Sequence, residues 1–265
     1  MAFRRLDDHS EFPWLSASKL PDLLRFAPHR EDGAQGILPT HIRTPDGEAL
    51  PVFSEALDAE VARRYGAPVQ MMQLKHGIFD EASISVIALD TVHEISRLAA
   101  QTPDVRRFRP NVLVRSLGAV PFQEDNWVGS VLSFGEGDDA PAVTVTLRDI
   151  RCSMLNLDPD AARPAPEMLK AVVRVHENTA GVYGTVTRIG RLAVGQTIFL
   201  HVGPLDRLLA QKLPHHLADA RVEAAQHGRI SDVRISRRIE VEDLAQASPH
   251  FIVTWTSCVT RTSAP

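Results

Sequence analysis

The chain has 265 residues, 44% of them hydrophobic and 23% charged, with a formal net charge of −4. This is the composition of an ordinary globular protein, long enough for one large domain or two smaller ones. It offers no basic stripe for a nucleic acid, and no apolar run reaches the roughly 18 residues of a membrane span.

The start, Met1-Ala2-Phe3-Arg4-Arg5, has basic residues but no apolar run behind them, so it does not read as a secretory signal. Two cysteines, Cys152 and Cys258, make no disulfide framework, and reduced thiols in a cytoplasmic protein are the expectation. Neither CxxC nor HExxH occurs, which argues against zinc held by local spacing.

In chain order, the first 35 residues read as loop-rich. His41-Ile42-Arg43 is a strand, followed by the turn Pro45-Asp46-Gly47. Phe53 to Tyr65 has helical spacing, with Phe53, Leu57 and Val61 on one face. Val69 to Leu74 and Ile84 to Ala88 are apolar strands. Met71 and Met72 read as core rather than cofactor contacts. Thr91-Val92-His93-Glu94 reads as a capping box opening a helix that stops before Thr102-Pro103. Asn111 to Val114 and Trp127 to Phe134 follow as strands. Gly135 to Asp139 is a hairpin loop rather than a phosphate loop, because it carries acids and no helix follows it.

Ala142 to Leu147 alternates strictly, as a half-buried strand does. Pro164 to Val175 is helical, and Val182–Thr187 and Thr197–Leu200 are closing strands. Many short strands with turn signals between them predict a small barrel. Beyond Val202 the pattern predicts helices over 205–213 and 218–225, a surface His215-His216 pair and a strand over 251–255. That extension is expected to pack on the barrel or at a dimer interface.

The stretch with the densest chemistry runs from Arg107 to Pro159. It holds Arg107, Arg109-Pro110-Asn111, Glu124-Asp125-Asn126-Trp127, Arg151-Cys152 and Asp158-Pro159. Arginine forks grip phosphate in two-point contacts, and a thiolate is the natural ligand for a thiophilic metal. By itself, a cysteine in a β-rich domain is more often inert than a ligand. Arg109 could equally pair with Glu124 or Asp125.

Taken with Gly181-x-Tyr183 and Gly190-x-x-x-x-Gly195, this order of motifs resembles MOSC-domain proteins. The closest branch carries an N-terminal MOSC-associated β-barrel domain, as in the bacterial and mitochondrial reductases of N-hydroxylated compounds. The resemblance covers roughly Leu15 to Val202. It implies an α+β, mainly β fold: a partial N-terminal domain over residues 1–104, a MOSC β-barrel over 105–204 and a C-terminal extension over 205–265.

The resemblance also implies a molybdenum cofactor of the molybdopterin type. Cys152 would be the metal ligand and a catalytic residue, and Asp80 the second catalytic residue, delivering a proton. Arg109, Arg107, Arg151 and Asn111 would bind the cofactor. Arg109 would grip the pterin phosphate or lie along the dithiolene. Arg151 would steady the thiolate or hold the chain in place, and Asn111 would satisfy backbone groups near the pocket floor.

The substrate implied is a small N-hydroxylated compound or N-oxide. Electrons would come from a separate donor protein, because the sequence has no flavin or iron–sulfur motif. A non-catalytic sulfur or cofactor carrier, or a degenerate relative acting through protein partners, is the alternative. The sequence departs from the family at Ile150, Leu155 and Asn156, and Glu81 adds an anion beside Asp80. Most of the family's first phosphate-gripping strand precedes the point at which this chain starts, although Arg4 and Arg5 fall near its arginine. A late start or a lost part of the pocket is therefore expected.

Overall fold

In the computed structural model the described residues are 1–31, 38–74, 81–116, 118–201 and, as backbone, 238–241. The chain divides into two compact units, each discontinuous in sequence. One comprises Met1–Phe79, Cys152–Leu169 and Ala247–Pro265; the other comprises Asp80–Arg151 and Lys170–Gln246.

In the first unit, β1 (Ala2–Arg5) pairs antiparallel with β5 (Val69–Met72). Strands β2 (Ala27–His29), β3 (His41–Arg43) and β4 (Ala49–Pro51) form a separate antiparallel sheet. Helix α1 (Glu55–Tyr65) packs Leu57 and Val61 into a core with Phe3, Phe26, Ile42, Leu50 and Met71. The Ser54 hydroxyl caps its start by accepting the Leu57 N–H, and Gly66 ends it in the left-handed region. Phe53, expected on the buried face, instead precedes the cap and is exposed, because the helix begins only after Ser54. Gly47 takes a positive φ of 93° in the predicted turn.

The second unit is a closed barrel. Its strands are β6 (Ile84–Ala88), β7 (Val112–Ser116), β8 (Val131–Phe134), β9 (Ala142–Ile150), β10 (Thr179–Arg188), β11 (Thr197–His201) and β12 (Arg238–Val241). Their order around the barrel is β10-β6-β7-β12-β11-β8-β9, with β9 pairing back onto β10. Strands β6 and β7 are the parallel neighbours, joined by helix α2 (Leu89–Leu98), since a parallel pair needs a crossover. The interior is filled by Ile84, Val86, Val114, Trp127, Leu132, Phe134, Val145, Val182 and Ile198 among others. Each strand alternates inward and outward residues. The fold is thus mixed, mainly β and built on a barrel.

Two local expectations are corrected. Helix α2 does not start at a Thr91–Glu94 capping box. It starts at Leu89, and Thr91 lies fully buried in its first turn. Trp127 is not in a strand; Gln123–Trp127 forms a 3-10 turn, and β8 begins at Val131. Helix α3 (Glu167–His176) lies close to its expected place. In the C-terminal stretch, the helices over 205–213 and 218–225, His215-His216 and the strand over 251–255 lie outside the described residues. Backbone 238–241 is described there, and it inserts between β7 and β11.

Candidate functional site

At the head of β7 the chain turns through Arg107, Phe108, Arg109 and Pro110. Arg109 has φ 53°, in the left-handed region that favours glycine, although a proline follows it. Its side chain is exposed, whereas Arg107 is buried. Asn111 then docks on β6 through two contacts. Its N–H donates to the Ser85 carbonyl at 2.9 Å, and its side-chain oxygen accepts the Ser85 N–H at 2.8 Å. Asn111 therefore extends the parallel ladder by one residue, a role of backbone support.

From Ser85 a buried polar network links β6 to the end of β9. The Ser85 hydroxyl donates to Asp149 Oδ2 at 3.0 Å, and the same oxygen lies 2.8 Å from the Arg151 guanidinium. Asp149 is 2% exposed and Arg151 9%. Arg151 is further bonded through Nε and Nη2 to the Ala180 carbonyl and through Nη1 to the Phe108 carbonyl, over whose ring it lies. All three of its nitrogens are engaged inside the protein. Of the two roles expected of Arg151, the observed contacts are those of holding the chain in place: they tie the end of β9 to β10 and to the Arg107–Asn111 turn.

Gly181 makes this network possible. It has φ 81°, and a Cβ there would sit 2.8 Å from the Val86 carbonyl oxygen and 3.1 Å from Arg151 Nη2. Only glycine permits that approach of β10 to β6.

The Glu124–Trp127 motif is structural as well. Glu124 is completely buried and accepts the Ala88 N–H at 3.2 Å and the Thr91 hydroxyl at 2.9 Å. It supplies, from 33 residues away from Thr91, the cap that α2 lacks locally. Burial pushes its carboxyl above the usual range. Thr91 in turn accepts the Phe122 N–H at 2.7 Å. Asp125 meets Arg148 at 3.3 Å and His176 at 3.5 Å, and burial raises its carboxyl too.

Cys152 lies in the first unit as the residue before a 3-10 turn, Ser153–Asn156. It is a free, exposed cysteine. Leu155 is 2% exposed and anchors the turn, and the Asn156 side chain accepts the Leu169 N–H in the first turn of α3. Asp158 closes an Asx turn by accepting the N–H groups of Asp160 and Ala161. Leu155 and Asn156 thus have packing and capping roles. Ile150, two residues before the cysteine, is 65% exposed.

Asp80 lies outside the described residues, and no role is derived for it. Arg5 is buried; it pairs with Asp8 and donates to the Phe12 carbonyl. Among the described residues no group of three or more His, Cys, Asp or Glu side chains is placed to hold a metal ion. Among the described residues Cys152 is the thiol that a thiophilic metal could take as a ligand. The exposed Cys152 thiol is of the kind that a thiophilic metal takes, whereas the Arg151 guanidinium is engaged by protein groups.

Sequence reasoning missed Asp149. The alternation of Val143 and Val145 does not lead to it, because the pairing with β10 shifts register between Val145 and Leu147, and Asp149 meets Ser85, on the opposite face of β6 from Ile84 and Val86.

Residues 73–199 match the family model described as the MOSC domain. No curated protein matches the chain. Among solved structures it is similar to the crystal structure of the YuaD protein from Bacillus subtilis, at 16% identity and a TM-score of 0.39 over 76% of this chain and 93% of that one.

Proposed function

We propose that this chain, which carries a MOSC domain at residues 73–199, binds a molybdenum–pterin cofactor through the Cys152 thiolate and serves as an oxidoreductase. The observation that carries the reading is the free, exposed cysteine at the entrance of a short turn, inside the matched segment and one residue past an arginine fixed in the barrel wall. When bound, the cofactor would supply two-electron oxygen-atom chemistry at the metal. The substrate class is a small N-hydroxylated compound or N-oxide, reduced with two electrons and two protons and releasing water. The electrons come from a separate donor protein, in a cytoplasmic setting.

Arg109 would contact the cofactor's anionic edge, since it is the exposed arginine of the Arg107–Asn111 turn. Arg107, Arg151 and Asn111 would act behind it by shaping the turn and the strand ends. Asp80 remains the proposed proton source.

The reading is tested by elemental analysis of protein made in a host that synthesises the cofactor. One molybdenum per chain, lost in Cys152→Ser with folding intact, is the expected result. A persulfide on Cys152 by intact mass, with no metal, would replace it with the sulfur-carrier reading.

A further inference from the structure

The end of the barrel opposite Ile150 carries two loops that the proposed chemistry does not use. Strand β9 begins there at Ala142, and β10 ends there, with Arg188 opposite Ala142. Residues 135–141 join β8 to β9, and residues 189–196 join β10 to β11.

The two loops are built as one surface. Arg188 Nε donates to the Ala140 carbonyl. The Gln196 side chain donates to the Phe134 carbonyl at 2.7 Å and accepts the Ala193 N–H at 3.0 Å, which ties its own loop to the end of β8. Pro141 lies so close to Gly190 that a Cβ there would fall 2.3 Å from its ring.

What this surface shows to solvent is divided by sign. The first loop presents Glu136, Asp138 and Asp139, all exposed, and no cation. The second, with the end of its strand, presents Arg188 and Arg191, both exposed, and no acid. Among the described residues the side chains of Glu136, Asp139 and Arg191 have no hydrogen-bond or ion-pair partner. Beside the arginines stand Ile189, 77% exposed, and Val194, 60% exposed, with Val186 exposed on the strand below. Single exposed aliphatic side chains are ordinary on a protein surface. Three on one loop and its strand, rimmed by charge, have the composition of a contact surface.

We propose that a second copy of the chain docks on this end of the barrel, through a two-fold contact that sets the acidic loop of each copy against the arginine loop of the other. The division of charge selects that occupant. A nucleic acid or an anionic membrane would meet three carboxylates along with the arginines, and a partner of uniform charge would be repelled by one loop or the other. In a two-fold contact each loop meets its complement, and both pairings form at once. Ile189 and Val194 supply the apolar centre. Two loops are fewer than the roughly 20–30 residues a side of a stable interface. The dimer is therefore weak, with a dissociation constant on the order of 10 µM, and sensitive to salt.

The test is sedimentation velocity of the intact chain from about 1 to about 200 µM. A concentration-dependent shift from monomer to dimer is expected, weakened severalfold when salt rises from about 50 to about 500 mM. Arg191→Glu in one protein, and Glu136→Lys with Asp139→Lys in another, should each weaken the dimer by roughly tenfold or more, because like charges then face each other twice. An equal mixture of these two proteins should dimerise again, since every contact in the mixed dimer once more joins opposite charges. Circular dichroism checks that each variant is folded. Where one is not, Ile189→Ser takes its place and is expected to weaken the dimer by removing the apolar centre. A chain that stays monomeric over the whole range, a dimer unmoved by these substitutions, or a mixture that stays monomeric overturns the proposal.

Discussion

Arg151 and Cys152 are consecutive in sequence and opposite in environment. Arg151 is 9% exposed and bonded on every nitrogen. Cys152 is exposed, and its backbone, through its carbonyl, caps the turn that follows. One motif therefore contains two kinds of residue. The charged one, which looks chemical, is tied into the fold; the small one, which looks inert, stands exposed. The same division separates Asn111, bonded twice to Ser85, from the exposed Arg109 two residues earlier.

The contrast breaks first at Asp149. Asp149→Leu leaves the Arg151 charge buried without its carboxylate, and a buried pair broken on one side costs roughly 3–5 kcal/mol. For a chain of this size that is a fall in Tm of roughly 6–20 °C, read by thermal unfolding. Adding Arg151→Met removes the lone charge but orphans the Ala180 and Phe108 carbonyls that Arg151 now serves, so the double variant recovers only part of the loss. A wild-type Tm in Asp149→Leu would mean that Arg151 is free to turn toward a ligand.

A second, smaller effect is expected at Gly181. Gly181→Ala places a methyl against the Val86 carbonyl at a positive φ, for a loss of about 2–4 kcal/mol. It presses on β6 and Arg151 together, so its effect should be non-additive with Asp149→Leu when both are measured by denaturant unfolding.

Much of the barrel was legible because its strands are short, apolar and alternating. Ile84–Ala88, Val143 with Val145, and the closing strands Thr179–Arg188 and Thr197–His201 all stand near where their patterns put them. What failed had non-local causes. The start of α2 was misplaced because its cap is Glu124, far along the chain, while a local Thr91–Glu94 pattern imitated a capping box. Phe53 was assigned to α1 by spacing alone, although Ser54 marks the boundary. Strand β12 is four residues long with one apolar residue on either side of Glu240, too little to stand out without the neighbours that it joins. Of the site residues named by resemblance, Asn111 and Arg151 prove to be bonded to backbone groups, a fact not legible in the sequence, because burial decides whether an arginine faces a ligand or a carbonyl.

The smallest expected effect is at Arg109. It holds φ 53° before a proline, a conformation that costs a side-chain-bearing residue on the order of 1 kcal/mol and glycine almost nothing. Arg109→Gly relieves that strain and also removes a charged side chain that has interactions of its own, so Tm should stay within roughly 2–4 °C of wild type. If Arg109 serves the fold as Arg151 does, the variant will instead be destabilised. If it serves a ligand, the variant will hold less molybdenum–pterin cofactor than wild type, by elemental analysis of both proteins from the same host. The change in Tm and the molybdenum content together decide whether Arg109 serves a ligand or, like Arg151, the fold.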